Sequence, residues 1–450
     1  MISNLSRHHI AEVTRQALQE GLIREEDTAV LFQDLDYLAA RIAYLTSCFP
    51  PTTLHGLAIK SNPLLRILEH TRKLGTGVEA ATAGEIHIAL KAGYLPDRIV
   101  FDSPVKTLSD LRFALETGIH LNCDNLDELK RVDSLLKKMH STSTIGIRIN
   151  PQVGVGSILE SSVAGEYSKF GVPVTGKRKE LEEAFLSYPW LTGVHLHVGS
   201  QGCAMELLVN GVGVLYDFAL LINEKRKTKN EKPISIFDIG GGLPISYFSD
   251  QAPPLMEDYV AALKDRAPGL FQGTGAQRHR GTKAQGHNTH KLTTSPPNWR
   301  IITEFGRWVY GNSGWTVSRV EYVKRDPGVL TAMIHVGADL FVRECLNPAD
   351  WHHEYSVLDA QGRLKEGVDD LPYHIAGPLC FAGDIVARDV PLPPVEEGDS
   401  IVIHDTGGYT FSMWSRYNSR QTPRILGVRE GKLLVLKERE RLEEVVEFWE

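Results

Sequence analysis

Between residues 54 and 311 of the 450-residue chain, short apolar runs that stop at Gly, Asn, Ser or Asp alternate with longer segments of helical period. No other feature limits the fold as severely, because strands joined through helices run parallel and need helices to cover them. LHGLAIKSN, RIVFDSP, STIGIRIN, GVHLHVGSQ and ISIFDIGGG predict strands. Between them, AGEIHIALKAGY and SDLRFALETG predict amphipathic helices closed by Gly93 and Gly118 in the left-handed cap position. Each strand carries polar residues just past its apolar stretch, where a (β/α)8 TIM-like barrel keeps its active site. The expected fold is therefore α/β, with the barrel over residues 53–312. After about residue 314 the texture changes to β-rich runs (WTVSRVEYV, VLTAMIHVG, DSIVIHDTG, GKLLVLKE) between Pro and Gly turns, which predicts a separate β domain over 313–450.

Charge narrows the class of partner. The chain has 49 basic and 56 acidic residues in a balanced mixture, with no basic stripe of the kind nucleic acid requires. A small-molecule substrate is expected instead. Five scattered cysteines without a CxxC pair indicate neither a disulfide framework nor a zinc knuckle. No signal-peptide core opens the sequence and no run approaches the roughly 18 apolar residues of a membrane span, so a cytoplasmic protein without a membrane partner is expected. Residues 272–297 are rich in Gly, Thr, His and Gln and read as a flexible surface insertion. His287 and His290 within it have a metal-like spacing but no supporting carboxylate or thiol, and no metal is expected.

Several strand ends carry residue types suited to chemistry. Lys60 follows an apolar strand directly, where partial desolvation lowers an amine's pKa and makes it nucleophilic; the plain alternative is a lysine reaching to solvent. Gly240, Gly241 and Gly242 end another strand, and a stretch without side chains lets backbone N–H groups approach a phosphate, or merely makes a tight turn. His197 could cover a flat cofactor, Ser200 could bond a phosphate, and His195 reads as a core histidine. Glu304 could pair with a ring nitrogen and Arg307 with an anion, unless the two form a surface ion pair. Cys380 lies in a Gly- and Pro-bounded loop where a buried, inert thiol would be ordinary, and Tyr409 follows a Gly pair.

Taken in order, VLFQDLDYLAARIAYL, AIKSN, GVEAATAGEI, INPQVG, SKFGVP, HVGSQG, DIGGGLP, EFGR, GPLCFAGDIVARD and GGYTFSMWSRYN resemble the fold-type III decarboxylases that use pyridoxal 5′-phosphate (PLP), the family of diaminopimelate and ornithine decarboxylases. The likeness spans nearly the whole chain and is nearest to the diaminopimelate branch. It implies an alanine racemase-like barrel, a β domain with which an N-terminal segment, residues 1–48, packs, and a homodimer with shared active sites. It also implies a role for each matching residue. Lys60 matches the lysine that carries PLP, His197 the histidine stacked on its ring, and Glu304 the carboxylate at its ring nitrogen. Ser200, Gly240, Gly241, Gly242, Arg307 and Tyr409 match positions near the phosphate. Arg343 matches an arginine that binds a substrate carboxylate, Cys380 a cysteine donated across the dimer interface, and Glu85 an acid of the family's GGE or KTE segment.

Four departures stand out. Glu79 replaces the family's Asp, and Phe305 replaces a Pro in EPGR. Phe381 replaces the acid that would meet a substrate's distal amine, and Asn347 replaces a Tyr. The last two touch the substrate pocket, where Asp384 or Asp350 could supply an acid in compensation. The activity implied is decarboxylation of an amino acid or a derivative of one, with an altered distal pocket. A racemase on the same fold would be expected to carry Arg in place of Glu304, and an inactive regulator of other decarboxylases would not be expected to retain Lys60, Glu304 and Cys380 together.

Overall fold

The computed structural model describes residues 4–272 and 298–450, so the expected insertion lies outside the described residues apart from Gln272. Eight parallel strands, Leu54–Ala58, Gly77–Ala80, Ile99–Asp102, His120–Cys123, Ile145–Asn150, Leu191–His195, Ile236–Asp238 and Arg300–Thr303, pair in sequence. The eighth pairs with the first, so the sheet closes on itself as a barrel. The strands are buried from end to end, as parallel strands lined inside by side chains and covered outside by helices must be.

Helix caps follow the local chemistry. Thr107 and Asp110 form a reciprocal capping box at the start of Leu108–Thr117, and Gly118 closes that helix at φ +82°. Gly93 likewise takes a positive φ just beyond Ala83–Lys91. Helix Met205–Thr228 is long and apolar enough to cross a membrane, which the sequence reading had not expected of any segment. Here its apolar side joins the barrel core through Leu208, Val212, Leu215, Phe218 and Ile222, as a helix buried along much of its surface should.

The second unit is a mixed sheet. Its order is Ile385–Leu392, Leu371–Ala376, Val329–Ile334, Gly314–Asp326, Ala29–Asp34, Arg424–Arg429, Lys432–Lys437, with Ser400–Ile403 and Tyr355–Leu358 continuing from Gly314–Asp326 on a second branch. The strand Ala29–Asp34 thus lies in the middle of this sheet, antiparallel to Gly314–Asp326 and parallel to Arg424–Arg429. Helix Arg7–Gln19 packs beside it, with Ile10, Val13 and Ala17 against Phe32 and Trp315. Helix Leu35–Cys48 departs from the expectation for residues 1–48. Its Leu35, Leu38, Ile42 and Leu45 belong to the barrel's apolar cluster, because its apolar stripe faces the helices around the barrel, while the helix also touches strand Arg424–Arg429 of the sheet.

The two units meet at a tight seam. Tyr409 N donates to Ser61 O at 2.8 Å, and the side chains of Asn62 and Gln33 both donate to Gly407 O. A Cβ on Gly407 would lie 2.1 Å from Tyr310 O, so only glycine permits this approach.

Candidate active site

Lys60 occupies a single 3-10 turn, Ile59–Ser61, that follows the first barrel strand, and its neighbours Ile59 and Ser61 are buried. Anchored on both sides, the turn leaves the Lys60 side chain 42% exposed while Nζ donates to Glu79 Oε2 at 2.6 Å. Glu79 lies on the second strand and is fully buried. Burial pushes its carboxyl up to about 7 against the pull of Lys60. Burial also acts to lower the Lys60 pKa, but the carboxylates of Glu79 and Glu304 and the Tyr409 phenol outweigh it and hold the amine above the ordinary lysine range. The expected lowering is therefore corrected: an acid within hydrogen-bond reach stabilises the ammonium form.

Across the barrel, Glu304 follows the eighth strand, fixed by its own N–H to Gly240 O at 2.8 Å. Its side chain is 2% exposed, with Oε2 3.5 Å from His195 Nε2 and 3.8 Å from His197 Nδ1, while Oε1 has no partner among the described residues. Burial acts to raise the Glu304 pKa, yet the His195 charge beside it brings the carboxyl below its usual value. His197, two residues past the sixth strand, faces Gly241 N at 3.3 Å, and burial and Arg148 push its ring down to about 3. It is a neutral flat ring at neutral pH.

The three glycines close the floor. Cβ atoms would stand 2.4 Å from Leu196 O at Gly240, 2.5 Å from Glu304 O at Gly241 and 2.3 Å from Gly199 O at Gly242, and Gly240 and Gly242 have φ of +63° and +109°. Backbone lies against backbone here, so no side chain can screen the loop from a ligand.

Arg307, on the short helix after Glu304, donates from Nε to Ser200 Oγ at 3.3 Å and from Nη1 to Tyr247 Oη at 2.5 Å. Its guanidinium lies 4.3 Å from the Tyr409 ring and 4.9 Å from that of Trp351. Arg343 stacks on the same two rings, at 4.9 Å and 4.6 Å. Burial and the nearby Arg307 push the Arg343 pKa down, as two cations crowded together do. Ser200, Arg307, Arg343, Trp351 and Tyr409, with Asn347 and Glu160, line a cavity of about 320 Å³. A buried carboxylate oxygen without a partner, a neutral ring, a bare-backbone floor and paired guanidiniums fit a phosphate-bearing pyridine and an anionic substrate.

Other expected residues stand apart. Cys380 and Phe381 do not line this cavity: Cys380 is exposed, its N–H bonded to Asn418 Oδ1, and Phe381 packs edge-on against Tyr417 at 6.1 Å. Asp384 is a correction. Its buried carboxylate accepts from Ala338 N and Leu379 N, both at 2.6 Å, and lies against Gly337 and Gly377, so it builds the Cys380 loop and has no reach to a substrate. Asn347 bonds Asp350, which occupies the other acid considered for the pocket. Glu85 accepts from Ala81 N and closes the turn before its own helix. Sequence reading missed Trp351, and also Asp102 and Arg148, which pair at 2.9 Å inside the barrel. Both lie at or near the ends of strands already read, IVFD and IGIRIN, and an ionisable residue on an otherwise apolar barrel strand was the available signal.

The family described as pyridoxal-dependent decarboxylase matches twice, by its pyridoxal-binding domain over residues 35–279 and by its C-terminal sheet domain over 307–407. A diaminopimelate decarboxylase of Methanothermobacter thermautotrophicus is 30% identical over 393 residues, 86% of this chain and 83% of the relative. The crystal structure of diaminopimelate decarboxylase from Helicobacter pylori complexed with L-lysine superposes with a TM-score of 0.79 at 27% identity, covering 96% of this chain and 99% of that one. A lysine/ornithine decarboxylase from Vibrio vulnificus, complexed with putrescine, shares the fold at 19% identity and a TM-score of 0.72, covering 95% of this chain and 99% of that one.

Proposed function

The chain belongs to the pyridoxal-dependent decarboxylases, PLP-dependent carboxy-lyases acting on amino acids, and from that premise we propose which residues do the work and what kind of substrate they accept. The observation that carries the reading is the convergence of Lys60, His197, Gly240–Gly242, Glu304 and Arg307 on the carboxyl ends of the barrel strands. In this reading Lys60 holds PLP covalently, His197 covers its ring, Glu304 holds the ring-nitrogen proton, and the glycines, Ser200, Arg307 and Tyr409 hold the phosphate. Bound PLP supplies an electron sink for the pair left when the Cα–carboxylate bond breaks and CO2 departs. Glu304 makes that sink effective, because a buried carboxylate with one oxygen unpartnered among the described residues favours a protonated ring nitrogen. The site is completed by a second subunit of a cytoplasmic homodimer, whose residues 313–450 form the sheet domain that brings Cys380 to the partner's Lys60. The thiol gives its proton to the carbon that has lost CO2 and regains one from water. The exposure of Cys380 in the single chain supports such a donation.

A mixing experiment tests the shared site. Lys60→Ala and Cys380→Ala chains, each inactive alone, form heterodimers with one intact site, and random mixing restores up to about a quarter of wild-type activity. No recovery despite demonstrated subunit exchange refutes the sharing.

Substrate choice turns on Phe381 and Arg343. A distal ammonium would meet Phe381 where the family has an acid, and a buried ammonium without a partner costs several kcal/mol. Asp384 and Asp350 are both engaged elsewhere and do not replace that acid, which leaves Glu160 of the cavity lining as the carboxylate a distal ammonium would have to reach. The relatives are named for diaminopimelate, yet the reading here is a substrate with an anionic far end bound at Arg343, or an apolar or conjugated one against Phe381. Diaminopimelate, ornithine and lysine are then poor substrates, and Phe381→Glu improves at least one of them in a CO2-release screen. Efficient turnover of meso-diaminopimelate by the unaltered enzyme removes Phe381 from the distal pocket.

A further inference from the structure

The barrel interior contains a line of alternating charge. Arg148 Nη1 bonds Asp102 Oδ2 at 2.9 Å, Asp102 Oδ1 lies 3.5 Å from His195 Nδ1, and His195 Nε2 lies 3.5 Å from Glu304 Oε2. His195 is wholly buried, and the side chains of Asp102 and Glu304 are 6% and 2% exposed. Neither ring nitrogen has another partner among the described residues. A neutral imidazole has one N–H and one lone pair, so it can face only one carboxylate favourably, whereas an imidazolium faces both. We propose that His195 is a positioning residue of the decarboxylation, an imidazolium that keeps Glu304 ionised and so able to hold the ring-nitrogen proton of PLP.

The physical case rests on compensation. A buried carboxylate with no counter-charge takes up a proton, and a protonated Glu304 would offer the ring nitrogen no charge to stabilise its own proton. Arg148 already neutralises Asp102, so the His195 charge, which pulls on Glu304 more strongly than the Lys60 ammonium does, is free to compensate it. The groups facing the ring come from the surrounding strands. Besides Asp102 and Glu304 there is Asp238, whose carboxylate is engaged by Asn122 Nδ2 at 3.1 Å and Gly240 N at 3.0 Å. The neighbouring rings of His120 and His197 are pushed down by burial, to about 4 and about 3, and carry no charge at neutral pH. For His195 burial acts in the same direction, but Asp102, Glu304 and Asp238 outweigh it and hold the ring up to about 9. A metal ion among Asp102, His195 and Glu304 would bond one ring nitrogen and leave the carboxylate at the other without its charge. A doubly protonated ring serves both.

The proposal rests on Glu304 being the partner of the ring nitrogen, and its test separates the two. In the cofactor-free protein, labelled-histidine NMR should show His195 charged at pH 7 and titrating well above an ordinary histidine, and Asp102→Asn should lower that titration. In the PLP-loaded enzyme, His195→Gln should move the nitrogen resonance of labelled PLP toward that of a neutral pyridine. It should also lower kcat by about 10- to 100-fold, the scale on which outer-sphere partners act, with KM nearly unchanged. A neutral His195 at pH 7 in the wild type overturns the proposal, as does a His195→Gln enzyme with unaltered PLP resonance and kcat. If His195→Gln fails to fold, the wild-type and Asp102→Asn titrations decide. An unaffected rate in Glu304→Gln would instead overturn the reading of Glu304, while the His195 titration measured in the wild type would stand.

Discussion

Lys60→Ala lowers CO2 release by at least about 10³-fold, the scale on which loss of a covalent nucleophile acts. The covalent link to PLP disappears with it: borohydride reduction of the wild type leaves the cofactor's mass on the peptide containing Lys60, and the variant shows none. Retention of more than about a hundredth of the rate would sink the assignment. The structure adds a consequence for stability. Lys60 is the partner of the buried Glu79, and removing it leaves a carboxyl that burial has already pushed up to about 7. Glu79 then takes up a proton in place of its ion pair, so the variant folds with a modestly lower Tm and not as an inert deletion.

The second large effect is expected at Glu304. Glu304→Gln keeps the shape of the side chain and its backbone bond to Gly240 but lacks the charge that favours a protonated ring nitrogen. PLP binds, and kcat falls by about 10²–10³-fold, as when a preorganised electrostatic contact is withdrawn from a developing charge. KM moves little, since Arg343, which receives the substrate, lines a cavity whose lining does not include Glu304. An unchanged kcat would show that the electron sink does not depend on this carboxylate, and would reopen the racemase reading that Glu304 disfavours.

What could be read in advance follows from where each residue sits in its element. Lys60, Gly240–Gly242, Glu304 and Arg307 come just after apolar strands, where the change from apolar to polar marks the barrel's mouth, so their place was legible. His195 and Asp102 are the last residues of their strands and Arg148 lies within its own. A strand covered on both faces gives no alternation to show which side chains point inward, so a buried charge network looks like scattered exceptions in apolar runs. Asp384 was misread for another reason. Its partners, the amides of Ala338 and Leu379, lie on different segments, and no local pattern announces a carboxylate used to hold loops together. The continuous run from strand Ala29–Asp34 into helix Leu35–Cys48 likewise hid that the first half joins the sheet domain and the second the barrel.

That strand sets an order of events during synthesis. Ala29–Asp34 leaves the ribosome well before the strands that flank it, which belong to residues 314–326 and 424–429. The barrel's own eight strands are complete once residue 303 has emerged, so it can close while Ala29–Asp34 still lacks both neighbours. Pairings between such distant segments form late, and meanwhile a strand buried along its whole length in the finished fold carries two open edges and apolar side chains into solvent. The nascent chain therefore depends on something else to occupy that strand, a chaperone or its own collapsed surface, until the final part of the message has been translated. A ribosome that stalls before residue 424 releases a product with a sound barrel and an adhesive edge.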